Sequence, residues 1–338
     1  MDFRPKGRQG DPSHAQEQIY RGADRRCRTR IRRRRFAQGA HSTTRHSCEH
    51  DLGHLDERVV LLAALHKEER INIVRRRLFI PTENTERLTG KLEDLLLHPM
   101  GTSMPNLLIV GESGSGKTTL LREFLSRHPR IEDAQRECSI IRVAYCETPP
   151  DPNPGALYNE ILQALSLPPS WKNADFRRCA VESALQFLRT GMVVIDEVQH
   201  ILVAGAKTQF ALLNAIKSLS NRGIATVACG TKTAMGLFAK DPQIDRRFER
   251  YDIPHWKLDS AFRRLLLTLE RNLPLGMPSR LSDRDMATQL YKISRGTIGR
   301  LWRAVSEAAV LAIQYDVEHI NERILNDVMM ATISARDD

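Results

Sequence analysis

Hydrophobic residues follow two rhythms along this chain. Short apolar runs at 107–110, 139–145, 192–195, 224–229 and 251–253 have the length and β-branched content of buried strands. Between them, apolar positions recur at helical spacing over 119–125, 155–165, 174–190 and 207–219, and the first of these helices stops near His128-Pro129. Strand and helix in alternation predict an α/β fold built on a five-stranded parallel sheet. Two further helices precede the first strand, over 56–77 (stopped by Pro81) and 86–97 (ended by Pro99). They are expected to pack over the ligand site or over a neighbouring subunit. After Lys257 the strands cease, and helices follow at 261–271, 283–293, 298–313 and 321–333. The turn Pro274-Leu-Gly-Met-Pro278 and the break Gly296-Thr-Ile-Gly299-Arg300 separate them. The expected organisation is an extension at 1–50, an α/β domain at 51–256 that includes the leading helices, and a small all-helical lid at 257–338.

The ends of the strands carry the chemistry. Gly111-Glu112-Ser113-Gly114-Ser115-Gly116-Lys117-Thr118 fits G-x-x-x-x-G-K-[ST], with a strand before it and a helix after it. Its glycines let the backbone N–H groups, up to Thr119 in the first helical turn, converge on phosphates. Lys117 can then reach the β- and γ-phosphates, and the Thr118 hydroxyl can ligate Mg²⁺. Met192-Val-Val-Ile-Asp196-Glu197 places two carboxylates at a strand's carboxyl end, where open α/β sheets bind ligands. Asp196 is expected to hold Mg²⁺, directly or through water, and Glu197 to polarise an attacking water. A protein that only binds nucleotide does not need the second carboxylate, so the pair points to ATP hydrolysis. Thr231, at the tip of the 224–229 strand, is placed to touch the γ-phosphate or the water. Arg246 and Arg247 suit neutralisation of transition-state charge across a subunit interface, and Arg300, opening a helix after a glycine turn, suits a swing toward the phosphates.

Charge changes the picture at one end only. The net charge is +10, but residues 1–50 hold 13 Lys+Arg against 5 Asp+Glu, and the other 288 hold 38 against 36. Nine of the fifteen positions from Arg21 to Arg35 are Arg. Such a tract repels itself and buries no core, so disorder is expected there, read as a phosphate-binding arm, a solvated tail, or an upstream extension that is not part of the working protein. His46, Cys48, His50 and His54 match no zinc spacing. Six cysteines without a C-x-x-C pair need no disulfide framework. No apolar run reaches the length of a membrane span and no signal-peptide core is visible, so a soluble, cytoplasmic protein with no membrane partner is expected.

The P-loop, the Asp-Glu strand, the polar strand tip, the arginine pair and the G-x-x-G-R turn together resemble the AAA+ ATPases. Met104-Pro-Asn-Leu-Leu-Ile-Val-Gly-Glu-Ser-Gly, Asp196-Glu-Val-Gln-His, Leu219-Ser-Asn221, Gly230-Thr231, Asp245-Arg-Arg-Phe248, Leu273-Pro-Leu275 and Ser294-Arg-Gly-Thr-Ile-Gly-Arg-Leu301 narrow this to the TniB/TnsC family of bacterial transposition regulators. The resemblance covers about residues 55 to 335. It implies an ATP-dependent protein that binds double-stranded DNA without strong sequence preference. It also implies a homo-oligomeric ring or helical filament, and recruitment or activation of an integrase-like transposase and a TniQ-type partner. By position, Lys117, Thr118, Asp196 and Glu197 become the nucleotide and hydrolysis residues, Thr231 the first sensor and Arg300 the second. Either Arg246 or Arg247 becomes the finger in trans. DNA contacts fall on segments 146–156 and 171–177, with Lys172 the leading cation. An ATP-switched adaptor with incidental hydrolysis, or a replication initiator or helicase loader, are the alternative roles.

Overall fold

The computed structural model describes residues 63, 65–76, 78–99, 101, 104–133 and 138–337. The basic extension, the His46–His54 group and part of the first expected helix (56–62, 64 and 77) lie outside them. The described chain divides into two compact units: residues 79–257 with 294–300, and 258–293 with 301–338 and the described residues up to Leu78.

The first unit is built on one sheet. Its strands are β1 (Asn106–Val110), β4 (Val143–Glu147), β5 (Met192–Asp196), β6 (Ala225–Gly230) and β7 (Phe248–Asp252). All are parallel, in the order β4-β5-β6-β1-β7. The expected five-stranded parallel α/β fold is therefore present. β1 is buried at every position because helices cover both faces. Leu107 and Ile109 pack on one side with Leu120 and Phe124 of helix α3 (Lys117–Arg127). Leu108 and Val110 face the other side, among residues of α4 (Pro154–Ala164), α5 (Ala174–Phe187) and α6 (Ala206–Asn221). The period-two alternation of side chains is thus spent on two separate cores.

Three expectations change. The apolar run at 139–145 is two elements, not one strand. β3 (Cys138–Ile140) pairs antiparallel with β2 (Ile131–Asp133) in a separate ribbon, and β4 starts at Val143. The break falls where Ile141 N–H bonds Leu188 O and Arg142 O accepts from Gly191 and Met192, so the chain turns there into the sheet. β7 begins three residues before the apolar stretch, because it is an edge strand whose Glu249 and Arg250 face solvent. Helix α2 (Glu83–Leu97), expected over the ligand site or a neighbour, instead lays Leu88, Leu92 and Leu96 into the sheet's own core. It starts earlier than 86, at a capping box formed by Thr82 and Thr85.

The second unit is all helical: α1 (Lys67–Arg75), α9 (Ser260–Arg271), α10 (Arg284–Ser294), α11 (Ile298–Gln314) and α12 (Glu322–Asp337). Phe262, Leu266, Leu290, Val305 and Ala308 are fully buried in it. The grouping differs from the expected lid at 257–338 in taking in α1 and leaving out 294–300. One buried cation accounts for α1: the Arg70 side chain, 4% exposed, donates to Pro274 O at 2.8 Å and grips both carboxylate oxygens of Glu318. Gly276 N–H adds a bond to the same carboxylate at 2.9 Å. Burial alone would raise the Glu318 carboxyl, but Arg70 and the Gly276 N–H outweigh it and hold it below the ordinary carboxylate range. A carboxyl lowered on folding stabilises above its unfolded pKa, and that contribution disappears as pH falls through the folded value. Glu318→Gln is therefore expected to cost about 1–3 kcal/mol at pH 7 by stranding a buried guanidinium. The gap between variant and wild-type melting temperatures should narrow as pH falls below the ordinary carboxylate value and close once the folded carboxyl is protonated.

Candidate nucleotide site

β1 runs straight into the glycine loop, and two glycines set the loop's shape. Gly114 (φ 78°) and Gly116 (φ 92°) lie in the left-handed region, and Gly116 is the residue from which α3 starts. The first-turn N–H groups of α3 have no acceptors within the helix, so they remain available to an anion. Lys117 is 6% exposed, and its ammonium donates to Gly111 O and Glu112 O, each at 2.9 Å. Ser115 Oγ stands 3.5 Å away. The cation is thus curled over the loop at its mouth. Glu112 turns outward to His255 Nε2 at 3.0 Å. The Gly296–Arg300 turn sits against the same loop, with Gly299 N–H donating to Gly114 O at 2.7 Å. A methyl group on Gly299 would lie 2.8 Å from that oxygen, so only glycine permits the approach. Arg300, one residue on, is exposed.

The second wall comes from the tips of β5 and β6. Asp196 is completely buried, and a buried carboxylate needs donors on every side. Thr118 Oγ1 donates to its Oδ2 at 2.8 Å, Tyr145 OH donates to the same oxygen at 3.0 Å, and Glu197 N–H donates to Oδ1 at 2.8 Å. The Cys229 thiol, on β6, is close enough to feel the Asp196 charge. Burial, and then the charge of Asp196, push the Tyr145 hydroxyl and the Cys229 thiol upward, so both stay protonated and able to donate. Burial does the same for Cys146, beside them on β4. The facing oxygens of Thr118 and Asp196 form the hard donor pair that Mg²⁺ prefers, and the loop with Lys117 forms the cradle that a triphosphate requires. Both groups fit the residues present.

Glu197 takes a left-handed backbone (φ 55°), uncommon for a side chain of its kind. Its Oε2 accepts from Gln199 Nε2, while Gln199 Oε1 accepts from Thr231 N–H at 3.0 Å. The Thr231 and Thr233 hydroxyls are 2.7 Å apart. The structure therefore gathers Gly111–Thr119, Asp196, Glu197, Thr231 and the turn before Arg300 at one edge of the sheet. It leaves Arg246 and Arg247 at the other. Arg247 O accepts from Asn106 N–H, at the start of β1, so the length of that strand, about 16 Å, separates the pair from the loop. Arg247 is engaged by Asn221 Oδ1 at 2.5 Å. Arg246 is exposed, with no side-chain partner among the described residues.

Sequence reasoning missed Tyr145, Gln199 and Cys229. Gln199 was visible as the second residue after the Asp-Glu pair, but its contact with Thr231 spans 32 positions and only the fold supplies it. Of the segments expected to meet DNA, 146–156 contains no Lys or Arg. In 171–177 the Lys172 ammonium lies 3.9 Å from the Phe176 ring centroid, and Trp171 is 90% exposed. Trp171 stands out because Asn159 clamps the preceding residue, bonding Ser170 N–H at 3.0 Å and Ser170 O at 3.1 Å. Among the described residues no His, Cys, Asp and Glu cluster forms a metal centre. None of the described helices is long and apolar enough to cross a membrane.

Solved structures share this architecture. Aeropyrum pernix ORC2, determined as ADPNP-ADP complexes, superposes with a TM-score of 0.54 at 21% identity, covering 75% of this chain and 70% of its own. Aeropyrum pernix ORC1 in complex with DNA gives 0.57 at 14%, covering 78% and 69%. Drosophila ORC bound to DNA gives 0.54 at 12%, covering 90% and 73%. At such identities the likeness establishes the AAA+-type fold. No curated protein matches the chain. The family model described as bacterial TniB protein matches residues 70–258, more than half of the sequence and all of the sheet, loop and carboxylates just described, and the chain belongs to the TniB family.

Proposed function

We propose that this TniB protein is a DNA-dependent ATPase that assembles on double-stranded DNA and there recruits or activates an integrase-like transposase, with a TniQ-type protein as a further partner. The observation that carries the reading is the division of the catalytic parts between opposite edges of one sheet. Cradle, carboxylates and sensor threonine lie at the carboxyl edge, and Arg246, without a side-chain partner among the described residues, lies at the amino edge. A site divided in this way is completed by a second copy placed head to tail, and repetition of that contact gives a ring or a helical filament.

Within each site, Lys117 and the loop N–H groups bind the β- and γ-phosphates of ATP, and Thr118 with Asp196 holds Mg²⁺, which would neutralise charge developing on the phosphate oxygens. Glu197 accepts the proton of the attacking water. Thr231 orients that water or the γ-phosphate. Arg300 reaches the phosphates from the turn anchored on Gly114. A neighbour's Arg246 neutralises the transition state. Since nucleotide bridges two copies, it stabilises the assembled state, and hydrolysis removes that contribution. Lys172 supplies a phosphate contact that is independent of base sequence. Apart from the first 50 residues the chain is nearly neutral, so affinity accumulates along an assembly rather than within one copy. The setting is the bacterial cytoplasm.

Electron microscopy of the protein with DNA and a slowly hydrolysed ATP analogue, with ATP turnover measured in parallel, tests the reading. Wild type should form ordered assemblies. Arg246→Ala should lower DNA-stimulated turnover by about a hundredfold or more, while Arg247→Ala, whose side chain serves Asn221, should lower it severalfold at most. If wild type forms no assembly on DNA, or if Arg246→Ala hydrolyses ATP normally, the divided-site model is wrong.

A further inference from the structure

The amino edge of the sheet, opposite the nucleotide loop, carries more than Arg246. Strands β4, β5 and β6 start level there, with Val143, Met192 and Ala225 as register partners. Just before those starts, three segments meet. Ile141 N–H bonds Leu188 O, Gly191 N–H bonds Arg142 O, and a methyl group on Gly191 would lie 3.4 Å from the Leu96 side chain. Their chain neighbours are left in solvent. Leu97, ending α2, and Phe187, ending α5, are each 67% exposed. Arg142, half-buried, and Arg189, exposed, have no side-chain partner among the described residues.

Arg189 also stands where stability alone would choose glycine. Its N–H bonds Gln186 O, and Thr190 N–H bonds Leu185 O, so α5 closes in a Schellman motif with Arg189 at the left-handed position (φ 54°). A side chain strains that position, and no contact within the unit offsets the strain. The opposite edge has the complementary charge. Glu112 follows β1, Glu147 ends β4 and Asp252 ends β7, each with a side chain half exposed or more. Arg122 and Lys232 stand 3.9 Å from Glu147 and Asp252, too loosely to cancel them. A bound triphosphate would add negative charge at the same edge.

We infer that Leu97 and Phe187, flanked by Arg142 and Arg189, form a docking face for the carboxyl edge of a second copy of this chain. This rests on the divided-site reading above. It extends the contact from Arg246, beside β7, to the β5 end of the sheet, three strand spacings or about 14 Å away. Apolar anchors beside arginine are the composition of a protein interface. The opposite charges of the two edges set the head-to-tail order, because two amino edges repel each other.

The test compares full-length wild type with Phe187→Ser and Arg189→Gly by sedimentation with a slowly hydrolysed ATP analogue, with and without DNA. Nucleotide affinity and melting temperature are measured beside it. Docking predicts that each variant needs about tenfold more protein to assemble in both conditions, the scale of a truncated interface anchor. Nucleotide affinity below the assembly concentration should stay within about twofold, since neither residue touches the loop. Arg189→Gly should not lower the melting temperature, whereas a purely structural role would lower it. A copy with both substitutions keeps its carboxyl edge, so about one part in ten added to wild type should cap assemblies and shorten them. If the patch met its own copy instead, the variant would be left out and lengths would not change. Variants that assemble as wild type does overturn the docking face and leave the divided site standing. Variants that assemble normally on nucleotide alone but fail on DNA mark a DNA surface, which also overturns it. Variants that fail to assemble, beside an Arg246→Ala protein that hydrolyses ATP normally, keep the docking face and remove the finger. A wild type that stays monomeric throughout refutes both.

Discussion

Lys117→Ala should abolish ATP binding at micromolar concentrations and, with it, assembly on DNA. The lysine is the one cation that the loop folds around, with its ammonium held by Gly111 O and Glu112 O and turned to the helix terminus where phosphate would sit. Removing it deletes two or more charge-assisted bonds to the triphosphate at about 1.5–3 kcal/mol each, so affinity falls at least about a hundredfold. Because nucleotide bridges subunits in the proposed assembly, the same loss recurs at every interface, and the effect on DNA coating exceeds the effect on a single site. Titration with a fluorescent ATP analogue and electron microscopy with DNA measure the two quantities. A Lys117→Ala protein that coats DNA as wild type does would show that ATP does not gate assembly.

Glu197→Gln should separate binding from turnover. The substitution keeps size and shape, removes the proton acceptor, and leaves Lys117, Thr118 and Asp196 in place. ATP affinity is expected to remain within a few fold while kcat falls by about 10²- to 10⁴-fold. Assemblies on DNA should form normally and persist, since the step that withdraws the bridging triphosphate is blocked. Single-turnover hydrolysis, together with the lifetime of DNA-bound protein after dilution, checks this. A transposition assay on the same variant decides what hydrolysis is for: normal target choice would mean that turnover is dispensable and that the protein acts as an ATP-switched adaptor.

Much of this site was legible because phosphate chemistry writes itself into short contiguous stretches. The cradle occupies Gly111–Thr118, and the two carboxylates are neighbours at the end of an apolar run. Burial on both faces turned β1 and β5 into unbroken hydrophobic words. β7 was harder to read, since an edge strand carries Glu249 and Arg250 into solvent without cost. The 139–145 run misled because apolar content registers burial, while the turn at Ile141-Arg142 is set by bonds to Leu188 and Gly191, far along the chain. The same cause hid Tyr145, Cys229 and Gln199, whose roles depend on which strand lies beside which. Neither residue spacing nor composition could have told Arg246 from Arg247; Asn221, on α6, makes the difference.

The thiols around Asp196 have a consequence of a different kind. Cys146 and Cys229 are buried and protonated, whereas Cys179 is exposed. A reagent that modifies thiols meets Cys179 directly, but reaches the other two only when the tips of β4, β5 and β6 part. This edge of the sheet therefore carries its own native chemical clock: the rate at which those two sulfurs become modified records how often the strands beneath the candidate nucleotide site open.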